Sequence, residues 1–371
     1  MKRFAVLVVL LLIGVLAVSA APKFKIGLVF DVGGRGDNSF NDSAYNGLVA
    51  LAKAYKGWIQ DDPSKVNFGS DVQIKYLEPK PGGQDREFLM RALAEDGYQL
   101  IYGVGFLFSD ALAKVAKDFP DIHFGLIDGF VPDLNGSSNI TCLSFKANEG
   151  SFLVGAIAAL KAKGKPIGFL GGMDIPLIHS FENGFDAGAM YVNKAYRAPN
   201  AIMGQYAGKD PTAFNDPTTG YNISANFYKQ GAEIVFHASG GTGVGLFKAA
   251  QEAKKMSIGV DSDQGLIWAS SKDAATKAQA QYILTSMIKR VDNGVFLTAK
   301  EFISGMGKLA GGYRSFGLKE DGVGFAENQF NKANLADVRA KVLQLRADII
   351  AGKIVVPDEN TDMAAWVKGL M

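Results

Sequence analysis

Lys25-Ile26-Gly27-Leu28-Val29-Phe30-Asp31-Val32-Gly33-Gly34-Arg35-Gly36-Asp37-Asn38-Ser39-Phe40-Asn41-Asp42 is a short apolar run that ends on an acid and opens into a glycine-rich polar loop. Just beyond it, Ala44, Gly47, Leu48, Leu51, Ala52 and Tyr55 follow a helical period, with Asn41, Asp42 or Ser43 placed to cap the start. An uninterrupted apolar strand is one buried on both faces, as in a parallel sheet. A strand that passes through a loop into an amphipathic helix is the opening of a right-handed βαβ unit.

The pattern repeats along the chain. Strands are predicted at Lys25–Phe30, Val72–Leu77, Leu100–Val104, His123–Ile127, Ile140–Phe145, Pro166–Leu170, Ala201–Tyr206, Glu233–His237, Ser257–Val260 and Tyr313–Leu318. Between them, helices are predicted at Asp85–Asp96, Ser109–Lys117, Glu149–Lys163, Glu182–Lys194, Asn222–Gln230, Val244–Lys254, Thr276–Asn293 and Leu335–Ala351. This is an α/β protein. Ten strands exceed one comfortable doubly wound sheet, so the natural division is two lobes with a seam near Phe145–Glu149. No Pro-rich or Gly/Ser-rich linker separates them, which predicts close crossings and a stiff hinge.

The chain has 371 residues with 39 Lys+Arg against 37 Asp+Glu. Lys2 and Arg3 precede an apolar run from Phe4 to Val18, and Val18-Ser19-Ala20 supplies small residues of the kind signal peptidase reads. The run is shorter than the roughly 20 residues that span a bilayer, so residues 1–20 read as a cleaved signal peptide and the mature chain as periplasmic or otherwise extracytoplasmic. Without Lys2 and Arg3 the charges balance, and no basic footprint for nucleic acid survives. The one cysteine, Cys142, lies in the apolar Ile140-Thr141-Cys142-Leu143 and reads as a buried, inert thiol. No cysteine stands near the cleavage site to carry a lipid.

In open parallel sheets ligands bind beyond the carboxyl ends of the strands. Those ends carry Asp31, Asp128, the glycine run Ser239-Gly240-Gly241-Thr242-Gly243-Val244-Gly245, and Asp261-Ser262-Asp263-Gln264. Each acid alone is more often a cap or turn former. Together, Asp31, Asp128 and Asp261 converge on one cleft if the sheets align, and acceptors of this kind suit a neutral ligand rich in hydroxyl or N–H donors better than a phosphate. A lone Phe in a loop is more often packed beneath it; flanked by Asn41 and two acids, Phe40 offers a shelf for stacking a base. The glycine run is neither GxGxxG nor GxxxxGK[ST], and reads as a tight turn with backbone N–H groups at a helix N-terminus. Enzyme signatures are missing: His123 and His237 sit in apolar strands, His179 lacks HExxH spacing, and Gly-x-Ser-x-Gly does not occur. Asp261 and Asp263 lack the remaining oxygen ligands of a calcium loop, so neither metal nor cofactor is expected.

On these residues the chain resembles the basic membrane protein family of ABC-transporter substrate-binding proteins, the purine nucleoside receptor type. The likeness runs from Phe24–Leu48 through Phe145–Gly155, Ser180–Phe185, Phe236–Gly245, Gly259–Gln264 and Leu284–Val291 to Tyr313–Leu318. It implies the type I periplasmic-binding-protein fold, two Rossmann-like lobes with three crossings. Residues 21–146 with about 276–318 would form one lobe, and 147–275 with about 319–371 the other. It also implies a monomer that holds a nucleoside of the adenosine, guanosine or inosine class between two aromatic rings, closes on it and delivers it to an ABC permease. Carried over, Phe40 is one stacking face, Asn41 and Asp128 address the base edge, Asp31 sits beside the ligand, and Gly241, Asp261 and Lys289 meet the ribose hydroxyls. The second ring falls to Phe214, in the lengthened segment Gly208–Pro217. A sugar or other small polar molecule in the same fold is the alternative ligand.

Overall fold

The computed structural model describes residues 21–370; the predicted signal peptide lies outside the described residues. Its first sheet is built from β1 (Phe24–Val29), β2 (Gly57–Gln60), β3 (Val72–Leu77), β4 (Leu100–Val104), β5 (His123–Ile127) and β6 (Ile140–Phe145). The second takes β7 (Ile167–Met173), β8 (Ile202–Gly208), β9 (Ile234–Ala238), β10 (Met256–Asp261) and β11 (Ile283–Lys289). Then β12 (Gly312–Phe316) returns to the edge of the first sheet and β13 (Val323–Phe325) to the edge of the second. The strand orders are β12-β6-β5-β4-β1-β3-β2 and β13-β11-β10-β9-β7-β8, parallel throughout except for β13 against β11.

Helices α1 (Phe40–Ala54), α2 (Arg86–Glu95) and α3 (Ser109–Asp118) follow strands of the first sheet. The second lobe carries α4 (Ala147–Ala162), α5 (Pro176–Val192), α6 (Pro217–Lys229), α7 (Val244–Ala253), α8 (Gln264–Ala269) and α9 (Ala274–Gln279). Three more close the chain: α10 (Val291–Ser304), packed on α1, α11 (Lys332–Ile350), packed on α4, and α12 (Met363–Gly369). The strands β4, β5 and β9 are buried along their whole length, as their mainly apolar sequences predict. The helices α4 and α5 touch backbone to backbone, because a Cβ at Gly155 would strike the Phe185 carbonyl. No helix among the described residues is long and apolar enough to cross a membrane.

One predicted helix is wrong. Thr276–Asn293 is not continuous: it divides into α9, a turn, β11 and the start of α10. The segment Ile283-Leu284-Thr285-Ser286-Met287-Ile288-Lys289 is buried between β10 and β13, where packing on both faces favours a strand. The chain therefore returns toward the first lobe at Arg290, not near residue 276 as the resemblance implied. The crossings at Lys146 and Arg290 and the stretch after Phe316 lie side by side. Lys146 N–H donates to the Phe316 carbonyl (3.0 Å), and Arg290 N–H to that of Gly322 (2.8 Å).

Candidate functional site

The carboxyl ends of β1, β5, β9, β10 and β11 meet at one cleft between the two sheets. Its space, with the open mouth included, is about 690 Å³. Asp31, Phe40, Asn41, Asp128, Phe214, Asp261 and Lys289 all line it. Gly241 does not; Ser239 and Gly240 line the wall in its place. Gly240 adopts a left-handed backbone (φ +54°), and the turn this allows leaves Gly241 buried behind the wall. The lining also includes Asp37, Phe106, Leu107, Ile178 and Phe181, none of which the sequence reading assigned.

Phe40 is the first residue of α1 rather than a loop residue. No side chain at positions 41–43 caps this helix. The buried Asp37 carboxylate does the work instead, accepting from the backbone N–H groups of Ser39 (2.9 Å), Asn41 (2.8 Å) and Asp42 (3.1 Å). Burial pushes Asp37 up to about 7, against the lowering effect of these bonds. Asn41 is likewise committed to the loop: its Oδ1 accepts from Asp31 N–H (3.0 Å) and its Nδ2 donates to Asp37 (3.0 Å). Its amide thus joins Asp31 to Asp37 while the residue still lines the cleft. Asp31 Oδ1 accepts from Arg86 Nη2 at 2.7 Å; burial raises its pKa and the guanidinium opposes that.

On the opposite wall, Phe214 ends a 3-10 turn (Pro211–Phe214) that Asp210 caps by accepting from Thr212 N–H at 2.9 Å. A Cβ at Gly172 would strike the Phe214 ring, so this glycine makes the ring's seat. Asp261 holds a left-handed backbone (φ +61°) and its carboxylate accepts from Ser39 Oγ at 2.5 Å, lobe to lobe. Burial raises the Asp261 pKa, with Lys289 and the Ser39 bond opposing. Lys289, 2% exposed, forms an ion pair with Asp128 across the cleft. Gln264 Nε2 donates to the Asn38 carbonyl (3.1 Å) and Ser262 Oγ to that of Ser39 (3.2 Å), two further bridges between lobes.

The histidines stay out of the chemistry. His237 is buried behind the glycine turn, where desolvation lowers it to about 4 although its bond with Gln264 opposes this. His123 is lowered to about 4 as well, chiefly by desolvation. Cys142 is buried, and that burial raises its pKa. Asp263 turns away from the cleft, capping α8 through Leu266 N–H (3.0 Å) and accepting from Asn328 Nδ2 (2.8 Å).

Two parallel-sheet lobes, three adjacent crossings and a cleft lined from both sides define the type I periplasmic-binding-protein fold. A profile described as ABC transporter substrate-binding protein PnrA-like, that of the Bmp family, matches residues 24–360. The chain belongs to this family; it is a substrate-binding transport protein and not an enzyme. Among similar proteins is a CD4+ T-cell-stimulating antigen of Listeria monocytogenes, 36% identical and covering 92% of this chain and 90% of the relative. The ABC transporter nucleoside-binding protein BmpA of Lactococcus lactis is 32% identical over 90% of this chain and 89% of its own. A solved solute-binding protein of an Aeropyrum pernix ABC transporter superposes with a TM-score of 0.74 at 27% identity, covering 94% of this chain and 97% of the other.

Proposed function

We propose that the ligand is a nucleoside, with purine nucleosides of the adenosine, guanosine or inosine class preferred, and that the lobes close on it for delivery to a permease. The observation that carries this reading is a pair of phenylalanines, Phe40 from one lobe and Phe214 from the other, in a cleft whose polar groups are mainly carboxylates. Aromatic faces stack a base of any identity. Carboxylates accept from exocyclic N–H and ribose O–H groups and repel phosphate. In this reading Asp128 meets the base edge, Asp31 lies beside the ligand, Asp261 and Lys289 meet the ribose, and Ser239 and Gly240 take the part first given to Gly241. The name of the Lactococcus relative supports the same ligand class.

The mature protein would be an exported monomer, which N-terminal sequencing and the native mass of the secreted chain would test. The ligand is tested by calorimetric titration of unfolded and refolded protein, freed of copurifying ligand, with adenosine, guanosine, inosine, AMP and ribose. Saturable heat with the nucleosides and none with AMP or ribose is expected. Tight binding of ribose alone would replace the nucleoside with a sugar.

A further inference from the structure

Three residues that end strands at the crossings between the lobes form a chain of contacts, with Phe145 between the other two. Phe145 is the last residue of β6, Phe316 of β12 and Lys289 of β11. Phe145 and Phe316 are register partners whose rings stack with centroids 5.4 Å apart at 26°. The Lys289 ammonium lies over the same Phe145 ring, 5.5 Å from its centroid, with Phe40 at 4.9 Å and Phe181 at 5.3 Å. Phe145 is buried and does not line the cleft. Room for its ring is left by Gly294 of α10, where a Cβ would come within 3.0 Å of Phe145 Cζ.

An ammonium carries three N–H donors, and Asp128 is its one hydrogen-bond acceptor among the described residues. The Asp261 carboxylate interacts with it through charge, and aromatic faces stabilise the rest of this desolvated cation. Two of these faces, Phe40 and Phe181, belong to α1 and α5, which ride with their lobes. The third stands at the hinge, seated on another hinge ring. Rotation of one lobe against the other turns the backbone at these strand ends, so it alters the distance between Phe145 and Lys289.

We infer that Phe145, seated on Phe316, is a positioning residue for Lys289 and couples the hinge to the ligand cleft. The affinity arm of the test rests on the nucleoside reading; the stability arm does not. Phe145→Leu keeps an apolar side chain and removes the π face. It is combined with Lys289→Met in a double-mutant cycle, read in the adenosine Kd and in the urea midpoint of the refolded, ligand-free protein.

If the ring acts through the ammonium, Phe145→Leu weakens adenosine binding roughly ten-fold in the wild-type background and less than about two-fold beside Lys289→Met. The urea midpoint shows the same non-additivity. Equal losses in both backgrounds would mean that the ring only packs, and would overturn the inference. Should Phe145→Leu fail to fold, Phe316→Leu, which removes the supporting ring, goes through the same cycle with the same two outcomes. A wild-type protein that binds no nucleoside defeats the ligand reading instead, and the urea cycle still decides the coupling: additive midpoints reject it.

Discussion

Phe40 is the residue on which the ligand reading weighs most, because its ring sits where the first strand, the capped helix start and the cleft meet. Phe40→Ala is expected to weaken nucleoside binding by about 1–3 kcal/mol, the measured range for removal of a base-stacking ring, or roughly 5- to 150-fold. Thermal unfolding without ligand checks that the fold survives, and an unchanged Kd would remove Phe40 from the site. Asp261→Ala should reduce affinity for adenosine more than for free adenine, because only the nucleoside loses a charge-assisted bond to ribose; equal losses would put Asp261 away from the sugar. Asp31, Asp128 and Asp261 are legible as cleft residues because strand ends in parallel sheets converge, and Phe40 and Asn41 because they follow the first of these ends; Phe214 and Lys289 come only with the family resemblance. What the chain order hid was which polar atoms remain free. The Asn41 amide is engaged at both ends, between Asp31 and Asp37, a three-dimensional arrangement invisible in the sequence. Gly241 lies one position behind the cleft wall, and a run of glycines does not say which of them takes the left-handed turn.

Among the elements, most strands and helices could be read from apolar periodicity, and the failure at Ile283–Lys289 is instructive. A short run in which Thr285 and Ser286 sit among apolar residues shows neither a clean strand alternation nor a period of its own, and Thr276–Gln281 before it and Val291–Asn293 after it are helical or turn-forming, so a single long helix absorbed all three. The burial of β11 between two strands is a tertiary fact. The same end of the second sheet holds a pH-sensitive link. Gln264 Oε1 accepts from Val260 N–H (2.9 Å) and pairs with His237 Nε2 at 3.0 Å, so the neutral imidazole carries its proton on Nε2. Gln264 then reaches across the cleft to Asn38. An unfolded histidine takes up its proton near pH 6.5 and the folded His237 near 4, so between these values the unfolded state binds more protons. The contribution is complete above pH 6.5 and is lost as pH falls toward 4, to about 3 kcal/mol at most. Urea unfolding across that window should show a steeper acid loss for the wild type than for His237→Gln. Superimposable slopes would show that the imidazole titrates normally in the fold.

For the whole molecule, the bridges between lobes determine what opening must break. Ser39 to Asp261, Gln264 to Asn38 and Ser262 to Ser39 are hydrogen bonds, whereas Lys289 to Asp128 is an ion pair between side chains 3% and 4% exposed. Removing one member of a buried pair leaves an uncompensated charge, at a cost of about 3–5 kcal/mol. In this protein that cost applies to the closed arrangement, because opening the cleft returns the Lys289 ammonium to water. Asp128→Asn is the suitable variant: asparagine tolerates the left-handed backbone (φ +56°) that Asp128 adopts. It should shift the balance toward the open form by roughly 10²- to 4 × 10³-fold. A ligand moves the same balance only through its preference for one state. Small-angle scattering of refolded protein is therefore expected to give Asp128→Asn a larger radius of gyration than nucleoside-saturated wild type, with saturating adenosine reducing the radius of any variant that still binds it. If Asp128→Asn and saturated wild type have the same radius, the pair does not hold the lobes together, and closure depends on the Ser39, Gln264 and Ser262 bridges instead.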